Sequence, residues 1–148
     1  MYEEPRSGEI FIAKNYYSQM YNSNLSDKTL FEMMTSNAAT AFSLNKQGAI
    51  KEGNLADLVI VNSKSKNSYS FVSEMNYEDI MLVVIDGIPR YGDESFIPLF
   101  EALDISFQKI KVDKYKKIIH GDILGLLDRI REAVGFEKNL EFLPVEPW

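Results

Sequence analysis

The chain has 148 residues, a formal net charge of −6, 45% hydrophobic and 26% charged residues, one histidine and no cysteine. A chain of that size and mix reads as one soluble globular domain that buries about two-thirds of its unfolded surface. Disulfides, zinc fingers and thiol nucleophiles are excluded. The acidic balance argues against nucleic acid as the main partner, and no apolar run approaches the about 18 residues of a membrane span.

The N-terminal stretch Met1-Tyr2-Glu3-Glu4-Pro5 lacks the basic region and apolar core of a signal peptide. The absence of cysteine fits a reducing compartment, and the expected location is cytoplasmic. A first helix is predicted after Ser7 and Gly8, with Ile10, Ala13, Tyr17 and Met20 on one face and Phe11 and Tyr21 beside them. Asn22-Ser23-Asn24 breaks it. A second helix starts at the cap Ser26, where Asp27 suits the positive end of the dipole and Leu25 and Leu30 are spaced for a hydrophobic staple. Phe31, Met33 and Met34 complete its buried face. Thr35 is placed to cap a further short helix through Ala38, Ala39 and Phe42, whose alanines allow close packing.

Gly48 and Gly53 punctuate the next stretch, with Ala49-Ile50-Lys51 as a short extended arm between them. Leu58-Val59-Ile60-Val61 is an unbroken β-branched run, the pattern of a strand covered on both faces. Residues 62–68 are a polar surface loop, and Tyr69 to Met75 forms a short apolar turn read as helix. A strand over Ile80–Ile85 is stopped by Asp86-Gly87 and by Pro89. Phe96 to Leu103 reads as a short helix. Phe107 to Val112 alternates buried Ile110 and Val112 with Lys109 and Lys111. A last helix runs from the cap Asp122 along Ile123, Leu127, Ile130 and Val134 to a stop at Gly135, and the proline-rich tail Phe142 to Trp148 lies extended across another surface. There is no internal repeat and no linker long enough to divide the chain. The expected organisation is a single domain over 1–148, with a helical segment 1–44, a sandwich-like segment 45–113, and a C-terminal helix and tail over 114–148.

Two stretches carry a family resemblance. Thr35, Asn37, Ala38 and Ala39 are followed by Gly48, Ile50, Gly53, Ala56, Asp57, Leu58 and Val59, and later by Val83-Val84-Ile85-Asp86-Gly87-Ile88-Pro89-Arg90-Tyr91-Gly92. Their order and spacing resemble the closing segment of the metal-dependent amidohydrolases, over about Leu25 to Gly92. Gly121 to Pro144 is similar to an extension found in members related to cytosine deaminases and chlorohydrolases. The resemblance implies an α+β fold: helices that close a metal-binding barrel, a small mixed β-sheet or partial β-sandwich, and a C-terminal helix. It also implies hydrolysis of carbon–nitrogen bonds other than peptide bonds, by one or two divalent metals such as zinc. In the family a His-x-His pair, further histidines and an aspartate hold those metals, and the bound water becomes a hydroxide near neutral pH.

This sequence has no His-x-His pair, and no apolar strand precedes Ile10. No catalytic, cofactor-binding or metal-binding residue is therefore carried over, and the chain is expected to lack the barrel and to be inactive alone. Asp57 reads as a structural carboxylate that caps a turn or accepts backbone bonds, Asp86 as a turn residue, and Asp122 as a helix cap. His120 has no partner at metal-ligand spacing and reads as structural or exposed. Lys109, Lys111, Lys114, Lys116 and Lys117 read as an edge strand guarded against edge-to-edge pairing, in preference to a phosphate or nucleic-acid site. The glycines match no phosphate-binding loop, and Tyr16, Tyr17 and Tyr21 read as core and rim of one helix. The alternative to an enzyme portion is a non-catalytic assembly module, in which the face carrying Phe31, Met34 and Phe42 is exposed. Its expected partner is a second copy or a chain that supplies the barrel. A ligand-binding reuse of the sandwich is a third, weaker reading.

Overall fold

The computed structural model describes residues 8–64, 69–135 and 145–148. Residues 65–68 of the predicted loop and 142–144 of the predicted tail lie outside them. The chain forms two compact units: one holds the residues up to Asp57 together with Val61–Asp79, the other Leu58–Ile60 and Ile80–Trp148.

The first unit is helical. Its elements are α1 (Gly8–Tyr21), α2 (Asp27–Met34), α3 (Ser36–Ala41) and α4 (Phe71–Glu74), with a 3-10 turn at Tyr77–Asp79. Ser26 caps α2 as expected, its hydroxyl accepting the Thr29 amide at 3.0 Å. Thr35 corrects the reading of α3. Helices α2 and α3 meet with one residue between them, so Thr35 closes one and opens the other. Its hydroxyl turns back and donates to Phe31 O at 2.7 Å, and α3 has no side-chain cap.

The Thr-x-Asn-Ala-Ala…Gly pattern acquires a physical reason here. Ala39 is buried on α3 and Gly48 lies directly on it. A Cβ on Gly48 would stand 2.5 Å from the Ala39 methyl and 2.9 Å from Thr35 O, and its φ of 81° is one that L side chains rarely adopt. The Leu44 amide, donating to Ala39 O at 2.8 Å, closes the helix against the same loop. The arm Ala49–Lys51 carries no regular secondary structure, with Ile50 93% exposed.

The second unit carries the six-stranded sheet, except Val61 at the end of its first strand, with α5 (Ile97–Ala102) and α6 (Ile123–Val134). Its strands are β1 (Leu58–Val61), β2 (Ile80–Ile85), β3 (Ile88–Asp93), β4 (Phe107–Val112), β5 (Tyr115–His120) and β6 (Val145–Pro147), in the order β1-β2-β3-β5-β4-β6. The pairings β2–β3, β3–β5, β5–β4 and β4–β6 are all antiparallel, which corrects the expectation of a mixed sheet or partial sandwich. Antiparallel neighbours need only tight turns between them. Asp86 and Gly87 supply one, with φ of 51° and 76°, the two positive angles of a type I′ hairpin.

Four sequence readings change in this unit. Strand β1 is an edge strand, and its Val59 is 59% exposed where cover on both faces is expected. Pro89 does not stop the chain. It pairs with Val84 beside a shift of register and so sits at a bulge, where a missing N–H is tolerated. Strand β5 is a further element, hidden by its Lys116-Lys117 pair. Strand β4 is internal, because β6 takes its outer edge. The core is Leu82, Phe100 and Ile118, with Val84, Phe96, Ile97, Ile105, Phe107 and Trp148 packed around it. Asp122 caps α6 by accepting the Gly125 amide at 3.0 Å, and Gly135 ends the helix at φ 72°.

Candidate functional site

Three polar clusters stand out, and the sequence reading anticipates none of them as a set.

In the helical unit, Lys14 Nζ lies 2.5 Å from Asp27 Oδ1 and 2.9 Å from Ser73 Oγ, while Ser73 Oγ donates to Asp27 Oδ1 at 2.7 Å. A serine beside a lysine invites a nucleophile–base reading. The geometry answers it: Lys14 donates to both oxygens and offers no lone pair to take the serine proton. The cluster instead ties α1, α2 and α4 together. Lys14 and Ser73 hydrogen bonds hold the Asp27 carboxyl below the ordinary aspartate value of 3.8, against the opposing pull of burial. The folded state thus prefers the ionised form. The resulting stability is complete above 3.8 and is lost as pH falls through the lower folded value. Asp27→Asn is accordingly expected to cost stability at neutral pH and almost none in strong acid. Urea unfolding of both proteins across that range checks this; a pH-independent difference contradicts it.

In the sheet unit, Lys117 is 1% exposed. Its Nζ pairs with the Asp93 carboxylate, donates to Ile80 O at 2.7 Å and lies 5.6 Å from the Tyr91 ring centre. Three of the remaining lysines of the predicted edge are also engaged. Lys109 and Lys116 stand 4.7 and 4.6 Å from the Trp148 ring, and Lys114 stands 5.3 Å from Tyr115. The lysine run is thus part of how β4, β5 and β6 hold together, not a guard on a free edge.

The third cluster joins Arg90 to His120, with Nη1 2.6 Å from Nδ1. Both are half-buried. His120 closes β5 and is not a bare surface residue. Among the described residues no group of three or more His, Asp and Glu gathers in metal-binding range.

The other carboxylates have local partners. Asp57 accepts the Gln47 side-chain amide, Asp86 sits in its turn, and Asp122 is held below the ordinary value first by the Gly125 amide and then by the Gln108 side chain. The Tyr17 and Tyr21 rings lie 4.8 Å apart, tilted by 38°, and Tyr16 is exposed. Phe31, expected on an open face, is covered by Tyr69 and Phe71 at 5.5 and 6.0 Å, whereas Met34 and Phe42 are exposed. No described helix is long and apolar enough to cross a membrane.

The sequence pattern of the amidohydrolase family matches residues 7–89, more than half of the chain, and the chain belongs to that family. Comparison with curated proteins and with solved structures returns no match. The matched stretch ends at Pro89, so Arg90 and all of β4, β5, β6 and α6 lie beyond it. The residues present do not fit the histidine-rich metal set that the family implies. The chain's one histidine directs Nδ1 to a guanidinium, and a ligand set of several imidazoles has no second member here.

Proposed function

We propose that this chain is the barrel-closing and sheet portion of an amidohydrolase-like hydrolase acting on carbon–nitrogen bonds other than peptide bonds, of the cytosine deaminase and chlorohydrolase type. Any metal centre it works with takes its histidines from outside these 148 residues. The observation that carries this reading is a family match over residues 7–89 in a chain with one histidine. Within the portion, the Thr35–Ala39 and Gly48 contact, the β2–β3 hairpin and the Lys117 pair are scaffold; they bind no reacting atom.

A second reading, assembly, draws support from the helical unit. Ile12, Tyr16 and Met20 fall at four-residue spacing along α1 and are all exposed, and Phe42 is 76% exposed. Large apolar side chains in such numbers mark association surfaces, and the partner is a second copy or the chain that brings the barrel.

One preparation of the chain, supplied with zinc, tests both readings. The expected result is no hydrolysis of a cyclic amide above buffer and a light-scattering mass above the 17.0 kDa of one chain. Turnover with stoichiometric zinc would sink the first reading, and a strictly monomeric mass at micromolar concentration would sink the second for a second copy as partner.

A further inference from the structure

The register of β2 on β3 slips between Val83 and Val84. Val83 faces Tyr91 and Val84 faces Pro89, so Arg90 is the extra residue of a β-bulge. Bulges re-aim the side chain they carry and recur beside functional sites. This one brings Arg90 against His120, at the end of β5 and across from Phe107 on β4.

The chemistry of the pair is one-sided. A guanidinium stays charged and only donates, so His120 Nδ1 is the acceptor and the imidazole hydrogen sits on Nε2. The pair's remaining polar hydrogens are therefore donors alone: the other guanidinium N–H groups and Nε2–H. Among the described residues no carboxylate is in ion-pair contact with Arg90. The nearest acid in sequence to His120, Asp122, is occupied by the Gly125 amide, Gln108 and, at 3.6 Å, Arg129. A half-buried cation lacking a counter-ion is costly, and an anion that pairs with it relieves that cost. A guanidinium fork matches two oxygens of one anion in shape and charge.

We propose that Arg90, held in place by His120, forms a binding site for a small oxyanion, a carboxylate or a phosphate, on the sheet unit. The oxyanion takes two guanidinium N–H groups that His120 does not use, and His120 orients the fork and senses its occupancy through the Nη1–Nδ1 hydrogen bond. The site goes beyond the hydrolase reading and does not rest on it, since it uses no metal and no residue of the matched stretch.

Because the chain has one histidine, its imidazole nitrogens give an unambiguous signal. The experiment is a long-range proton–nitrogen correlation spectrum of the full chain at constant pH and ionic strength. Inorganic phosphate, acetate and, as control, chloride are added in turn. The expected result is a saturable shift of the His120 nitrogens with phosphate or acetate and none with chloride; the anion that saturates at lower concentration identifies the ligand class. Arg90→Gln abolishes the saturable shift. Should that variant fail to fold, Arg90→Lys keeps the charge without the fork, and saturation moves to at least about tenfold higher concentration. A shift that does not saturate, that chloride reproduces, or that survives unchanged in a folded Arg90 variant overturns the proposal.

Discussion

Lys117→Met is expected to destabilise the sheet unit by about 3 kcal/mol, the lower end for removing one partner of a buried ion pair. Methionine keeps the unbranched stem, so little volume changes. What remains is an Asp93 carboxylate facing an apolar side chain and an Ile80 carbonyl deprived of its donor. The value sits at the lower end because the Asp93 side chain is 30% exposed, and water reaches it. Asp93 and Lys117 face each other directly across β3 and β5, so Lys117→Met with Asp93→Leu restores a matched cross-strand pair. The double variant is expected to recover most of the loss, since a well-packed apolar pair often equals a buried ionic one. Urea unfolding of the four proteins gives the coupling. Additive losses, with no recovery in the double variant, would show that Lys117 works through its stem and not through its charge.

Phe100→Ala is expected to be as damaging, at about 3–5 kcal/mol. Phe100 is 0% exposed and joins α5 to Leu82 and Ile118 on β2 and β5. Its ring meets Phe107 edge to face at 5.7 Å. Truncation removes that buried ring and leaves a cavity walled by a rigid sheet, which has little freedom to close over it. Phe100→Leu, which keeps most of the volume, is expected to lose less than about half as much. The check is the urea midpoint with an unchanged slope; equal losses for alanine and leucine would mean that the site collapses freely and that the ring is not a keystone.

Local signals carried much of the fold into the sequence. Ser26, Asp122 and Gly135 announce their helix ends through their own hydrogen bonds or φ, so α2 and α6 are legible to within a residue. Ile80–Ile85 followed by Asp86-Gly87 is legible for the same reason: an apolar run and a turn that needs positive φ are both local. What fails is whatever depends on a partner far along the chain. Lys117 looks like one more solvated lysine until Asp93, 24 residues earlier, is laid beside it. Strand β4 looks like an edge until residues 145–147 pair with it. Leu58–Val61 looks buried because its side chains are apolar, yet an edge position exposes them.

The site was less legible than the fold. The amidohydrolase pattern in Thr35–Ala39 and Gly48–Val59 is readable, and the Gly48–Ala39 contact explains it as packing. The Arg90–His120 pair is not readable, because a bulge aims the arginine and no residue type signals the bulge beforehand; Pro89 beside it is the one local hint.

The central claim is that these 148 residues carry the family's scaffold and not its metal centre. Zinc content measured on the purified chain after loading and exhaustive dialysis tests it most directly. The account predicts far less than one zinc per chain, unchanged by His120→Gln, since one imidazole already turned to Arg90 cannot hold a metal tightly. One tightly held zinc per chain, lost in His120→Gln, would contradict it.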